Sequence, residues 1–255
     1  MTIDEAWLKE RADELKSSLL FLTRLRYGSP ATPSGAALAP AVWAFPIAGV
    51  IVGSIGALVY RLAERMGLPN WPAAALALAA TMAVTGCLHE DGLADTADGF
   101  GGGTSRQSKL DIMRDSHIGA YGVCALVLSV LLRASALASL SASALVVPAL
   151  IAAHAAARAV MPVFMHYVPP ARSDGLSAAA GRPVGERTAL AAALGILILV
   201  LCLGPLAGIE ATILLAIAAT LLAWLSRSQV DGQTGDVLGA VEQVSEIVVL
   251  LVALG

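Results

Sequence analysis

Three aspartates, Asp91, Asp95 and Asp98, are spaced i, i+4 and i+7. On an α-helix, at about 100° per residue, they fall within one stripe. Like charges on one stripe repel, and a single i,i+4 pair already destabilises a helix. A divalent cation removes that cost. Hard carboxylate oxygens suit Mg²⁺, which takes few protein ligands and keeps waters and phosphate oxygens. The chemistry implied is metal-assisted transfer of a phosphate-linked group. A solvated acidic loop is the bland alternative, but the flanking Leu93 and Ala94 favour a helix with a dedicated acidic face. Glu90 lies about 100° off the stripe and is a weaker ligand candidate. His89 suits an acid, a base or a phosphate contact, or is a plain interfacial polar residue.

Two further segments carry chemistry. Ile112-Met113-Arg114-Asp115-Ser116-His117-Ile118-Gly119 sets a base, an acid, a hydroxyl and an imidazole beside glycine. Arg114 and Ser116 suit phosphate and Asp115 suits a place near the metal; Asp115 or Ser116 equally suits a helix N-cap. Phe100-Gly101-Gly102-Gly103-Thr104 reads as a helix stop whose free N–H groups suit a phosphate, or as a linker. Near the C-terminus, Asp231-Gly232-Gln233-Thr234-Gly235-Asp236 precedes Glu242 and Glu246, which are one turn apart inside an apolar run.

These residues need helices to position them, and composition says of what kind. The chain has 255 residues, 57% of them hydrophobic and only 14% charged. A soluble surface of this size needs more charge; lipid removes the need. A net charge of −3 gives no basic footprint for nucleic acid. Cys87, Cys124 and Cys202 lie far apart in apolar stretches, form no CxxC pair and read as small packed hydrophobes.

The expected fold is an all-α, polytopic membrane bundle forming one domain over 1–255. About seven spans fall near 38–60, 71–88, 119–140, 144–168, 188–205, 207–225 and 237–255. The fifth and sixth meet in a tight hairpin at Gly204-Pro205. Residues 1–26 read as an amphipathic helix, on the membrane or packed on the protein. Lys and Arg concentrate in the N-terminal segment and in loops 89–118, 169–187 and 226–236, which predicts a cytoplasmic N-terminus with those loops on its side. Within the spans, Glu246 and Arg158 each lie roughly 15 Å from that side at 1.5 Å per residue. A charge at such depth needs a partner or a wet cavity, so Arg158 is expected to interact with Glu246 or Glu242. For Arg133 and His154 a buried pair, a substrate contact and a snorkelling side chain are all open.

The motifs, taken in order, resemble the cobalamin synthase family, also called adenosylcobinamide-GDP ribazoletransferases. The blocks are Phe21-Leu22-Thr23-Arg24-Leu25; Phe45-Pro46 with Gly49; Val84-Thr85-Gly86, His89 and Asp91-Gly92-Leu93-Ala94-Asp95-Thr96 with Asp98-Gly99; Ile112-Met113-Arg114-Asp115-Ser116 with Ile118-Gly119; Arg158; and Gly232-Gln233-Thr234-Gly235-Asp236 with Leu238-Gly239-Ala240 and Glu246. The likeness runs from about residue 20 to the C-terminus. Three positions depart from it: Glu90 replaces an apolar residue, His117 an arginine and Asp231 a glycine.

The resemblance implies a multi-pass enzyme of the cell inner membrane that requires Mg²⁺. A ribose hydroxyl of α-ribazole or its 5′-phosphate would attack the cobinamide-linked phosphorus of adenosylcobinamide-GDP, releasing GMP and forming adenosylcobalamin or its 5′-phosphate. Carried over by motif, Asp91, Asp95 and Asp98 hold the metal, and these three with Asp236 and His89 make up the catalytic group. Arg114, Asp115, Ser116, Arg158, Thr234, Glu242 and Glu246 meet substrate. The partners implied are the two substrates and the lipid bilayer, with a homo-oligomer an open option. Two other readings compete. A CDP-alcohol-type phosphatidyltransferase also uses membrane-helix aspartates with Mg²⁺, but the arginine its pattern expects after the first Asp-Gly is missing. A cation or metal transporter would use Glu242 and Glu246, but it predicts acids near the midplane of several spans rather than at one surface.

Overall fold

A computed structural model describes residues 5–25, 38–140 and 142–255. Among them the chain is helical, and one isolated bridge, Pro170 to Gln233, is the nearest approach to a strand pair. The helices are α1 (Glu5–Leu22), α2 (Leu38–Ala41, continued by a 3₁₀ turn Val42–Ala44), α3 (Phe45–Arg65), α4 (Asn70–Thr85), α5 (Leu88–Gly102), α6 (Arg106–Ile112), α7 (Ala120–Ser139), α8 (Ser143–Tyr167), α9 (Leu176–Ala180), α10 (Gly185–Leu203), α11 (Pro205–Val230) and α12 (Gly235–Val252).

Among the described residues, five helical segments are long and apolar enough to cross a membrane: 38–65, α7, α8, α10 and α11. The remaining two of the seven expected spans are of another kind. The stretch expected at 71–88 is α4, which meets α5 at a bend of 90° and passes the same test only when the two are joined. Gly86 (φ 68°) and Cys87 (φ 57°) are consecutive left-handed residues, and they make that turn. The last expected span is α12. It carries Asp236, Glu242 and Glu246 and is buried along most of its length, so protein rather than lipid surrounds it. Gly204 (φ 83°) and Pro205 form the expected hairpin between α10 and α11.

Lipid and protein divide the helix faces. In the most apolar window of α8, 67% of the residues are buried, against 17% in α11. The bundle is therefore organised around α8, with α11 largely facing lipid. Leu128, Leu201 and Leu221 are uncovered apolar side chains on outer faces of α7, α10 and α11. Small residues bring backbones together, as membrane helices require. A Cβ added at Gly53 of α3 would sit 2.6 Å from the Leu150 carbonyl oxygen of α8. The N-terminal helix is packed on the protein. Its Glu14, Ser18 and Leu22 face inward; the Ser18 hydroxyl donates to the Ala41 carbonyl (2.7 Å), and the Trp43 indole N–H donates to Glu14 Oε2 (2.6 Å).

Candidate active site

The aspartate stripe lies on α5, as the spacing predicts. Asp91 is exposed, Asp95 half-buried and Asp98 buried. The glycines of the Asp-Gly and Leu-Gly motifs explain how α12 reaches this stripe. A Cβ at Gly92 would lie 2.7 Å from the Asp236 carbonyl oxygen, and one at Gly239 would lie 3.1 Å from the Gly92 Cα. α5 and α12 therefore touch backbone to backbone, which sets Asp236 beside the stripe. Asp95 consequently feels three neighbouring carboxylates, those of Asp91, Asp236 and Asp98.

Asp98 is the most constrained of the four. Its Oδ2 accepts the Gly119 N–H (2.7 Å) and its Oδ1 the Gly122 N–H (2.9 Å) at the start of α7. A Cβ at either glycine would collide with that carboxylate. Asp98 thus does the capping expected of Asp115 or Ser116, and an acid at a helix N-terminus suits the dipole. Asp115 instead closes a turn: its Oδ1 accepts the His117 N–H (3.1 Å) and lies 2.6 Å from His117 Nδ1. Their hydrogen bond holds Asp115 below the usual carboxylate range and raises His117 above the usual imidazole value.

Asp91, Asp95, Arg114, Asp115 and Ser116 all line one cavity of about 760 Å³, so the α5 stripe and the 112–118 loop form one site. Arg114 also pairs with exposed Asp174 at 2.6 Å. The glycine run departs from expectation. α5 continues through Gly101 and Gly102 and ends at Gly103, whose N–H donates to the Gly99 carbonyl, so this run offers no free amide nest. Thr234 is enclosed and acts locally. It caps α12 by accepting the Val237 N–H (3.2 Å), and its hydroxyl donates to Asp236 Oδ2 (3.1 Å). Arg172 approaches the same oxygen at 3.6 Å. The loop at 169–171 is tied to the C-terminal motif through Ala171 N–H to Gln233 O and Gln233 N–H to Pro169 O. Asp231, at the C-cap of α11, has φ 61°, the conformation for which glycine is the ordinary choice.

A second cluster lies inside the bundle. Arg158 Nη1 is 2.6 Å from Glu242 Oε1 and 3.3 Å from Glu246 Oε1, the interaction expected from depth alone. Arg133 Nη1 reaches Glu246 Oε2 at 2.9 Å, and His154 also contacts Glu246. His89 is buried here, 3.4 Å from Arg158 Nη2 and 3.5 Å from Glu242. Arg133 and His154 are therefore members of a buried ion-pair network. Glu242 and Glu246 do not face the stripe, because both are turned onto the arginines. His154, Glu242 and Glu246 have side-chain ligand atoms within 4.8 Å of one another. Two guanidiniums already supply positive charge there, so this is an ion-pair cluster rather than a metal centre.

Sequence reasoning missed Glu90 and Gln243. Glu90 Oε1 lies 3.2 Å from both Nη atoms of Arg133. Gln243 donates to Glu90 Oε1 (3.3 Å) and Glu242 Oε2 (3.0 Å) and accepts from Ser129 (3.0 Å). The available signal was a polar residue at each of 129, 133 and 243 in apolar helices. The cysteines also differ from expectation: Cys87 and Cys124 are exposed by the protein and Cys202 is partly so.

Fold and site together define a polytopic helical membrane protein with a carboxylate-rich cavity at one mouth of its bundle. A family model described as cobalamin-5-phosphate synthase matches residues 14–254, and the chain belongs to that family. It is 56% identical over 240 residues to an adenosylcobinamide-GDP ribazoletransferase of Bradyrhizobium diazoefficiens, covering 94% of this chain and 92% of the relative. A protein of the same description from Mesorhizobium japonicum is 55% identical, with 94% and 92% covered. One from Azorhizobium caulinodans is 48% identical, with 82% and 81% covered. No solved structure matches.

Proposed function

We propose that this chain carries out the last step of cobalamin nucleotide-loop assembly, as an Mg²⁺-dependent enzyme at the cytoplasmic face of the inner membrane. A ribose hydroxyl of α-ribazole or its 5′-phosphate attacks the cobinamide-linked phosphorus of adenosylcobinamide-GDP. The bond from that phosphorus to the bridging oxygen breaks, and the electron pair leaves with GMP. The observation that carries this reading is the single cavity shared by Asp91, Asp95, Arg114 and Ser116, in a chain so similar to ribazoletransferases.

Phosphoryl transfer needs in-line positioning and charge neutralisation more than a covalent side chain. The donor set fits a hard cation, being all carboxylate oxygen, with three other acids acting on Asp95. Asp91 and Asp95 are the principal ligands. Asp98 contributes through lone pairs left free by its two amide donors. Bound Mg²⁺ would neutralise diphosphate charge. Arg114 and Ser116 orient phosphate oxygens from the facing loop. Asp236, fixed by Thr234 and Arg172, takes the hydroxyl proton. Arg158, Glu242 and Glu246 support the site from within by holding α8 to α12. His89, enclosed beside them, fixes the root of α5.

The test is GMP release from adenosylcobinamide-GDP by the purified protein in detergent, with α-ribazole present. Release that needs both α-ribazole and Mg²⁺ is expected. No release, or release undiminished by EDTA, overturns the proposal. The transporter reading is disfavoured because Arg133 and Arg158 occupy the acids it would need.

A further inference from the structure

Glu90 has no part in the reaction as described, yet its arrangement is unusual. The side chain is only 7% exposed. One oxygen, Oε1, is held by Arg133 and Gln243. The other, Oε2, is enclosed and has no hydrogen-bond partner. Buried carboxylate oxygens ordinarily have a donor, because losing water without a replacement is costly. Glu90 also lines the cavity of about 760 Å³ that holds Asp91 and Asp95. An acceptor without a protein donor, on a residue that lines the reaction cavity, suits a donor carried by a ligand.

The rest of that cavity narrows the choice. Much of the remaining lining is hydrocarbon: Met82 of α4 and Leu126, Val127, Val130 and Leu131 of α7. A diphosphate, which the reaction above sets on Arg114, Ser116 and the metal-holding acids, gains nothing from Glu90 or from this hydrocarbon. A nucleoside suits both halves, with a flat aromatic base for the apolar side and ribose hydroxyls as donors for the acid. The volume lies within the usual range for small-molecule sites.

We infer that the part of this cavity lined by Glu90 and α7 is the acceptor subsite: Glu90 Oε2 accepts a hydrogen bond from a ribose hydroxyl of α-ribazole, whose base lies against the α7 side chains. The inference rests on the reaction proposed above and adds to it which substrate this wall holds. Anchoring of Oε1 by Arg133 presets the carboxylate, so little side-chain freedom is lost on binding.

Glu90→Gln is a sharp probe. Arg133 can be met only by the amide oxygen, which places the NH₂ group where Oε2 was and removes the acceptor. Val127→Trp is a second probe that leaves the ion pairs intact: Val127 lines the cavity and is half exposed, so it tolerates bulk while the indole narrows the apolar wall. The full-length protein in detergent is measured by equilibrium dialysis against α-ribazole and by steady-state kinetics with each substrate. Wild type should bind α-ribazole. Each variant should bind it about tenfold more weakly and raise its KM correspondingly, with the KM for adenosylcobinamide-GDP within twofold of wild type. A merely structural role for Glu90 would move both KM values together. If the donor's KM rises instead, or neither changes because water satisfies Oε2, the inference is overturned. Intact α-ribazole binding without any GMP release would sink the reaction proposed above and leave this subsite standing.

Discussion

The two clusters of charge in this protein contrast in nearly every physical respect. The inner one, Arg133, His154, Arg158, Glu242 and Glu246 with Glu90 at its cavity edge, is buried, of mixed sign and closely paired. The outer one, Asp91, Asp95 and Asp98 with Asp236, is of one sign and partly open to a cavity. A buried pair tolerates loss of neither partner, because the survivor is left as a bare charge in a low-dielectric interior. A single-sign cluster is held in place by the rest of the fold against its own repulsion. The first arrangement joins helices; the second is the one proposed above to hold a cation. Both draw their acids from the same two helices, α5 and α12, while the arginines of the inner one arrive from α7 and α8, so the joint that stabilises the bundle also sets the separation of the acids proposed to do the chemistry.

Breaking the contrast gives the largest effects. Glu246→Gln leaves Arg133 and Arg158 underpaired and should destabilise the protein by about 3–5 kcal/mol, read as a lowered unfolding temperature in detergent and poor recovery from membranes. If Glu246→Gln unfolds at the wild-type temperature, the inner cluster is not what joins the helices. Asp95→Asn should behave in the opposite way: turnover falls about 10²–10³-fold, the scale of losing one electrostatic stabiliser, while unfolding stays within about 0.5 kcal/mol of wild type. Loss of stability with turnover intact would reverse the roles assigned to the two regions.

Gly92→Ala probes the joint between them. The added methyl meets the Asp236 backbone, and overpacking of this sort costs about 1–3 kcal/mol. Both stability and turnover should fall, since α12 must move away from α5; a variant changed in neither would show that the two backbones need not touch. The smallest expected effect lies at the rim. The Asp115 partner raises His117 above its ordinary 6.5, and the same contact lowers Asp115. The contribution of the pair is therefore full below the unfolded imidazole value and fades as pH rises through the raised one. On the acid side it is lost as pH falls through the depressed carboxylate value. An NMR titration of His117 should give a value above 6.5 that returns toward it in Asp115→Asn. An unchanged titration in that variant would mean the rim turn is not held by this contact.

Much of this was legible in the chain. The i, i+4, i+7 aspartates give a stripe wherever a helix forms, so their common face follows from spacing. The depth of Arg158 and Glu246 in apolar runs called for a partner, because hydrocarbon offers no other solvation. The Gly204-Pro205 hairpin followed from residues that stop one helix and start another. Other features were not legible. That α4 and α5 turn through 90° depends on Cys87 taking a left-handed conformation, which residue type disfavours. That Asp98 caps α7 depends on where a helix over 20 residues away begins. Glu90 looked like a stray acid because its partners, Arg133 and Gln243, arrive from two other helices.

The sequence by itself determined that the chain is helical and membrane-embedded, and that it bears an acidic stripe suited to a divalent ion. Those properties rest on periodicity and transfer energy, which act within a helix. Only the tertiary structure decided which acids face a cavity and which are consumed by arginines. That division depends on close approach between distant helices, here at Gly92 and Gly239, and no local pattern encodes a distance between two segments of chain.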